Sequence, residues 1–473
     1  MRASHAPRWT RTPAFRGIIL AAGLGLAACA PQANPEALAG FRQNLATGQF
    51  QTAATIATQQ AAPNAEGRGT ELMWSLNAGA AALHGGEHNR AIAMLDGAED
   101  LMRAREEANF DWGQTYRFGT YDAVMVNAYK AFAMLGRGDR DGARVEMNRL
   151  EERQARTAER FRQLIETERA RLDAEGRQDR TRGTALAAAQ DNPAVRDQLQ
   201  ALDTYRGYQP FVNPAGTYLR SLFLLNTGIP GDAESARNGF QRVIGVMGNP
   251  RVVAEDMELA RQAAQGRRSP PQVWVIFENG QSPLFEQLNF TIPVPVAAPR
   301  GGVGVSVVTV SMPRLVFQPS AYGALEVRAG SGPGVTTTLV GSIEGVMASE
   351  FRTRYSSLLA AAVFEAVAKA VAQSAANVAA GQVGGFGGLA IQLAALAATN
   401  ITQSDTRSWH ALPREFQAAR VPVPANGSLT VSAMGGPTQN VTVPTGQSSV
   451  VVVKAQAPGS PLTIQVYPLG GAR

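Results

Sequence analysis

The sequence predicts an α+β chain of several domains: a helical first half, then a mixed second half that ends in a small antiparallel β module. Three observations carry this reading. Between residues 36 and 268, glycines recur five residues ahead of alanines, each pair lying between apolar stretches of helical spacing. After Pro270 the pattern changes to short runs of Val, Ile and Phe broken by Pro and Gly, which is how strands and their turns are written. An Ala-rich stretch over residues 343–401, split by glycines at 381–388, then interrupts those strands with an apolar helical hairpin. With 473 residues, 45% hydrophobic and 17% charged, the chain has material for two to three packed domains.

Residues 1–28 stand apart. Arg2, Arg8, Arg11 and Arg16 precede an apolar run over 17–26, which is about half the roughly 20 residues needed to cross a bilayer and has the proportions of an export signal. The run ends in Leu26-Ala27-Ala28-Cys29, and this phrase resembles the lipobox of bacterial lipoprotein signals at every position. That resemblance implies cleavage before Cys29, a thioether-linked diacylglycerol on its sulfur, and a mature chain held by several acyl chains. At about 0.8 kcal/mol per buried methylene, two or more chains anchor where one is marginal. Ala30, where an aspartate would imply inner-membrane retention, implies the outer membrane with the protein facing the periplasm. Residues 29–35 then serve as a tether. Cys29 is the only cysteine, so neither a structural disulfide nor a thiolate metal site is expected. The net charge of +6 falls to about +2 once the four signal arginines are removed, which argues against nucleic acid as a partner.

Over residues 36–268 the pairs are Gly48 with Ala53, Gly86 with Ala91, and Gly138 with Ala143, with a weaker copy at Gly228 and Ala233. A glycine ends one helix by turning left-handed, and the small residue lets the next helix approach it closely. This grammar resembles the tetratricopeptide family of repeats, in which Trp74 occupies the position of the first-helix aromatic. The resemblance implies a curved helical array that holds peptides or proteins. Residues 151–182 are dense in Arg and Glu, with Phe161, Leu164, Ile165 and Leu172 at helical spacing, and read as a long solvated helix. Residues 183–193 read as a flexible break, and the aromatics of residues 205–214 as a turn-rich entry to the last helix pair.

Residues 269–414 form the expected mixed domain. Strand signals lie at 273–277, 290–296, 303–310, 314–317 and 324–327, with a turn at Glu278-Asn279-Gly280. Residues 343–380 read as one long helix or two, and 389–401 as a second apolar arm. Glu365 and Lys369 in the long arm, and the shortness of the other, argue for burial against the sheet and against a membrane span. The phrase Asp405-Thr-Arg-Ser-Trp-His-Ala-Leu-Pro413 resembles the Asp-x-Arg-x-Trp-x-x-Leu-Pro signature of a poorly characterised proteobacterial lipoprotein family with a helical repeat half and the same Gly-rich hairpin. The resemblance implies a cell-envelope or cell-wall setting and supplies no active site. On the residues themselves, Asp405 and Arg407 are expected to pair around the tryptophan, with Trp409 and Leu412 plugging a core between the hairpin and the next strand and Pro413 closing the phrase. Residues 415–473 read as five short strands of an antiparallel module.

Catalytic signals are sparse. His84 and His88 are four apart but straddle Gly85-Gly86, so they do not share a helical face for a metal, and no nucleophile motif is present. The reading is a lipid-anchored scaffold that binds other envelope proteins, without cofactor, metal or enzymatic activity. Two alternatives stand beside it: an export or assembly component whose Ala/Gly-rich hairpin forms homo-oligomers or touches the membrane, and a wall-active hydrolase.

Overall fold

A computed structural model describes residues 34–108, 116–205, 207–208, 211–297, 302–383 and 405–470. The signal and Cys29 lie outside these residues, as do most of the tether and the expected second arm at 389–401.

Eleven helices come first: α1 (Pro35–Ala46), α2 (Phe50–Gln60), α3 (Leu72–His84), α4 (His88–Glu107), α5 (Thr120–Gly136), α6 (Arg140–Gln178), α7 (Arg180–Gln190), α8 (Pro193–Asp203), α9 (Pro214–Leu225), α10 (Pro230–Met247) and α11 (Arg251–Ala264). The Gly/Ala phrases mark real hairpins. Gly48, Gly86, Gly138 and Gly228 all carry φ near +75°, a conformation that costs any other L-residue, and they connect α1 to α2, α3 to α4, α5 to α6 and α9 to α10. Ala53, Ala91, Ala143 and Ala233 are buried just inside the second helix of each pair, where a larger side chain would force the axes apart. Helix α6 is long and charged as expected, with Phe161, Ile165 and Leu172 buried along one stripe. The break expected at 183–193 is instead helix α7 leading into α8. Asp179 caps it by accepting from the N–H groups of Thr181 and Arg182, and its Ala-rich body outweighs Gly183 in the first turn.

The second half contains β1 (Gln272–Asn279), β2 (Leu284–Ala297), β3 (Val303–Val316), β4 (Leu325–Ala329), β5 (Gly334–Thr336), β6 (Thr338–Ser342), α12 (Ile343–Val383), β7 (Glu415–Pro422), β8 (Ser428–Ala433), β9 (Thr438–Thr442), β10 (Ser448–Ala455) and β11 (Thr463–Gly470). Residues 415–473 do not close into a module of their own. Strands β7, β10 and β11 join β1 and β6 in a five-stranded sheet of order β11-β10-β1-β7-β6, while β8 and β9 complete a four-stranded sheet of order β5-β4-β8-β9. The β1–β10 pair is parallel. Strand β1 is apolar at every position from Val273 to Phe277, so both of its faces and both edges demand cover, and local turn signals say nothing about which distant strand supplies it.

The alternation of β1 sets the layering. Trp274 and Ile276, with Phe416, Ala418, Val450 and Val452, face the helices and join their core. Val273, Val275 and Phe277, with Val421, Val451 and Val453, face the other way and pack on Leu325, Val327, Leu429 and Val431 of the four-stranded sheet. The molecule is therefore three layers deep, helices on sheet on sheet.

Strands β2 and β3 form a separate two-stranded ribbon. Ile292, Val294, Val310 and Met312 bury one of its faces, and the other exposes Val303 (80%), Val305 (71%) and Val307 (70%) near the tip. Helix α12 is a single helix of 41 residues that packs against this ribbon and against α6 and α7, burying Phe351, Tyr355, Leu359, Val363 and Phe364. Contrary to expectation, Glu365 and Lys369 do not disqualify its length and composition for a bilayer: they are an i,i+4 pair at 3.1 Å in an otherwise apolar stretch.

Candidate functional site

The signature phrase is a loop whose shape is fixed by polar groups reaching it from both layers. Arg407 folds back on Asp405, its Nε and Nη2 donating to Oδ1 and Oδ2 at 2.8 and 3.0 Å, so the expected pair forms and is bidentate. From the helical layer, Asn77 of α3 donates Nδ2 to the Ser408 carbonyl at 3.3 Å and accepts the Ala411 N–H at 3.2 Å. From the sheet layer, Gln456 Nε2 donates to the His410 carbonyl at 2.8 Å and Lys454 Nζ to the Ala411 carbonyl at 3.0 Å. The Leu412 carbonyl accepts the Ser282 N–H at 3.0 Å. A loop between layers has no ladder to satisfy its backbone, and these buried side chains substitute for one.

Trp409 is the plug. It is 2% exposed and meets Tyr129 of α5 edge to face at 5.8 Å, so it locks the loop to the helical layer; the second arm of the expected hairpin lies outside the described residues. Leu412 is fully buried beside it, and Pro413 is buried too. His410 lies 3.3 Å from Gln281 through Nδ1, and burial with Arg42 nearby pushes its imidazole down to about 3, leaving it neutral.

Beneath the loop sits a charged node. Glu278 at the end of β1 and Lys454 at the end of β10 are register partners on the helix-facing side of the sheet. Glu278 Oε2 accepts from Tyr129 OH at 2.9 Å and lies 3.2 Å from His84 Nε2 and 3.5 Å from Lys454 Nζ. Burial alone raises the Glu278 carboxyl, yet His84, Lys454 and the Tyr129 hydroxyl together carry it below its usual value. Lys454, facing one shared carboxylate, is pulled by burial down to about 8. Chemically this is a base-and-acid set of familiar types, but each member is at most 3% exposed, so the groups act on one another.

A second acidic cluster lies at the start of α5. The Gly119 N–H donates to Asp122 Oδ2 at 2.7 Å, Tyr116 OH donates to the same oxygen at 3.1 Å, and the Thr120 N–H donates to Glu350 Oε2 of α12 at 3.2 Å. Asp122 Oδ1 and Glu350 Oε1 are buried with no hydrogen-bond partner among the described residues. Burial pushes Asp122 up to about 7, and burial with the Asp122 charge alongside pushes Glu350 up to about 8. A third carboxylate site, Asp256 of α11, is saturated: Tyr218 OH, Trp274 Nε1 and Arg420 Nη1 donate to it at 2.8, 3.0 and 2.6 Å, tying α9 and α11 to β1 and β7.

The other sequence-derived residues divide cleanly. Gly48, Gly86 and Gly138 with Ala53, Ala91 and Ala143 are hairpin positions spread along the helical layer and do not meet at one place. His84 and His88 separate, one turning into the node and the other ring lying 6.2 Å from Tyr467. Among the described residues no group of three or more His, Cys, Asp or Glu is placed to hold a metal ion. Sequence reading missed Asn77, Glu278 and Lys454. The signal for the last two was present, since each is a charge at the very end of an apolar strand and Lys454 is one of only three lysines in the chain. No family model matches this chain, and no curated protein or solved structure matches it either.

Proposed function

We propose that this protein is a lipid-anchored, periplasm-facing outer-membrane scaffold that binds other envelope proteins, in the cell-wall or envelope-assembly setting that its signature resembles. The observation that carries the reading is the succession of helical hairpins, each closed by a left-handed glycine and drawn tight on a buried alanine. Taken as tetratricopeptide-like repeats, they supply a surface suited to holding peptides. The Leu26-Ala27-Ala28-Cys29 phrase supports the address, with Cys29 as the acylated residue. Cys29→Ser tests it: the variant is expected to lose acylation and leave the membrane fraction, and retention with unchanged processing refutes the anchor. Crosslinking in intact cells then identifies what the hairpins hold.

A second reading is favoured by the three exposed valines of the β2–β3 ribbon, an apolar strip of the kind that self-association or a bilayer covers. On that reading the protein is an oligomeric export or assembly component. Light scattering of the detergent-solubilised chain decides between them, a large ring-sized particle favouring assembly and a monomer the scaffold.

A further inference from the structure

A cavity of about 290 Å³ opens where the helical layer meets the starts of β1 and β10. Its walls come from the α9–α10 turn, the end of α11 and the linker that carries the chain into the sheet. The floor is apolar: Leu225, Ile229 and Leu259 converge with the ring of Trp274, whose Nε1 is already committed to Asp256. Ile229 is 45% exposed and stands at the mouth of the cavity. Two guanidinium groups, Arg267 and Arg268, stand on the linker at the same cavity, and among the described residues no Asp or Glu lines it. Arg268 makes no ion pair among the described residues, and Arg267 donates Nη2 to the side chain of Gln265 at 2.7 Å; its charge helps lower the carboxyl of Glu258, which pairs with Arg261 and not with Arg267.

Most arginines here are spoken for: Arg153 by Glu99, Arg420 by Asp256, Arg407 by Asp405. Two adjacent ones left open beside an apolar hole define a ligand with an apolar body and a carboxylate head, because the planar guanidinium matches a carboxylate through two parallel hydrogen bonds. Size narrows the choice. At about 30 Å³ per water the cavity holds the equivalent of roughly ten waters. A terminal residue with a branched apolar side chain has about nine non-hydrogen atoms, so the cavity is the right scale for one such residue and too small for two.

We infer that this cavity is a binding site for the free C-terminus of a partner peptide, with the last apolar side chain on Trp274, Leu225, Ile229 and Leu259 and the terminal carboxylate on Arg267 and Arg268. The inference rests on the scaffold reading for its partner class, and it places that partner at the seam between the last hairpin and the sheet. Capture of a chain terminus by a charged rim over an apolar pocket is an established mode of peptide recognition.

The test uses the full chain in detergent and fluorescence anisotropy of N-terminally labelled Ala-Ala-Leu, as the free acid and as the C-terminal amide. The acid is expected to bind saturably below about 1 mM and the amide about tenfold more weakly. Arg267→Ala with Arg268→Ala should lower affinity for the acid by about tenfold without moving the unfolding transition, since both side chains are exposed. Ile229→Asn, which removes apolar contact without adding charge, should weaken acid and amide alike. Equal binding of acid and amide, wild-type affinity in the arginine variant, or no saturation overturns the assignment. Crosslinking that still captures envelope proteins while the peptides fail would sink the cavity and leave the scaffold standing. Arginine-dependent peptide binding with no captured protein would do the reverse.

Discussion

Two buried carboxylate sites fasten elements of this molecule to one another, and they handle burial in opposite ways. At the sheet, Glu278 meets Lys454, His84 and Tyr129, and its charge is stabilised below the usual carboxylate range. At the start of α5, Asp122 and Glu350 meet each other and backbone N–H groups, and burial holds both above that range. Arg354 and the exposed Arg117 stand nearby, with Glu168 of α6, and the Arg354 charge acts on Glu350, but among the described residues neither cation makes an ion pair with the two acids. The first site fastens helices to sheet by charge, the second fastens α12 to α5 by keeping charge out. Burial alone therefore does not dictate what an acid does: at Glu278 the combination of His84, Lys454 and the Tyr129 hydroxyl outweighs it, whereas at Asp256 a single guanidinium at 2.6 Å does not.

The largest expected effect comes from breaking the first site. Lys454→Met leaves Glu278 short of a cation and the Ala411 carbonyl without its donor, and should cost about 3–5 kcal/mol, read as a lower urea midpoint at unchanged slope. Adding Glu278→Gln, which keeps a partner for Tyr129, should recover part of that loss. If the two substitutions simply add, Glu278 and Lys454 are not coupled and the contrast between the sites collapses.

How far the chain could be read in advance follows the same division. Local rules found the hairpins, because a left-handed glycine and a buried alanine leave marks within six residues. They also found the Asp405–Arg407 pair, two positions apart. What stayed hidden was long range. The parallel pairing of β1 with β10 joins residues about 176 apart, and Asn77 reaches Ser408 across 331 positions. No periodicity encodes such partners, so the five-stranded sheet is not legible in the sequence and the last strands read locally as a module of their own. Helix α7 was missed for a different reason: Gly183 is a weak breaker when Asp179 caps the turn before it.

The smaller and sharper test concerns pH. Asp122 and Glu350 hold protons in the folded state to about 7 and 8, whereas the unfolded chain releases them near 4. Over that window the folded state binds more protons than the unfolded one, so stability must fall as pH rises. The contribution is complete below about 4 and is lost as pH passes through 7 and then 8. Asp256, raised to about 6 despite Arg420, adds to the same slope, while Glu278 and Glu99, lowered by their cations, act only in acid. Glu350→Gln keeps an oxygen to accept the Thr120 N–H and cannot ionise. It is expected to match the wild type near pH 5 and exceed it at pH 9 by on the order of 3 kcal/mol, measured as urea midpoints across that range. Parallel profiles for the two proteins would mean that α12 is fastened to α5 by charge after all, and the distinction between the sites would be one of degree.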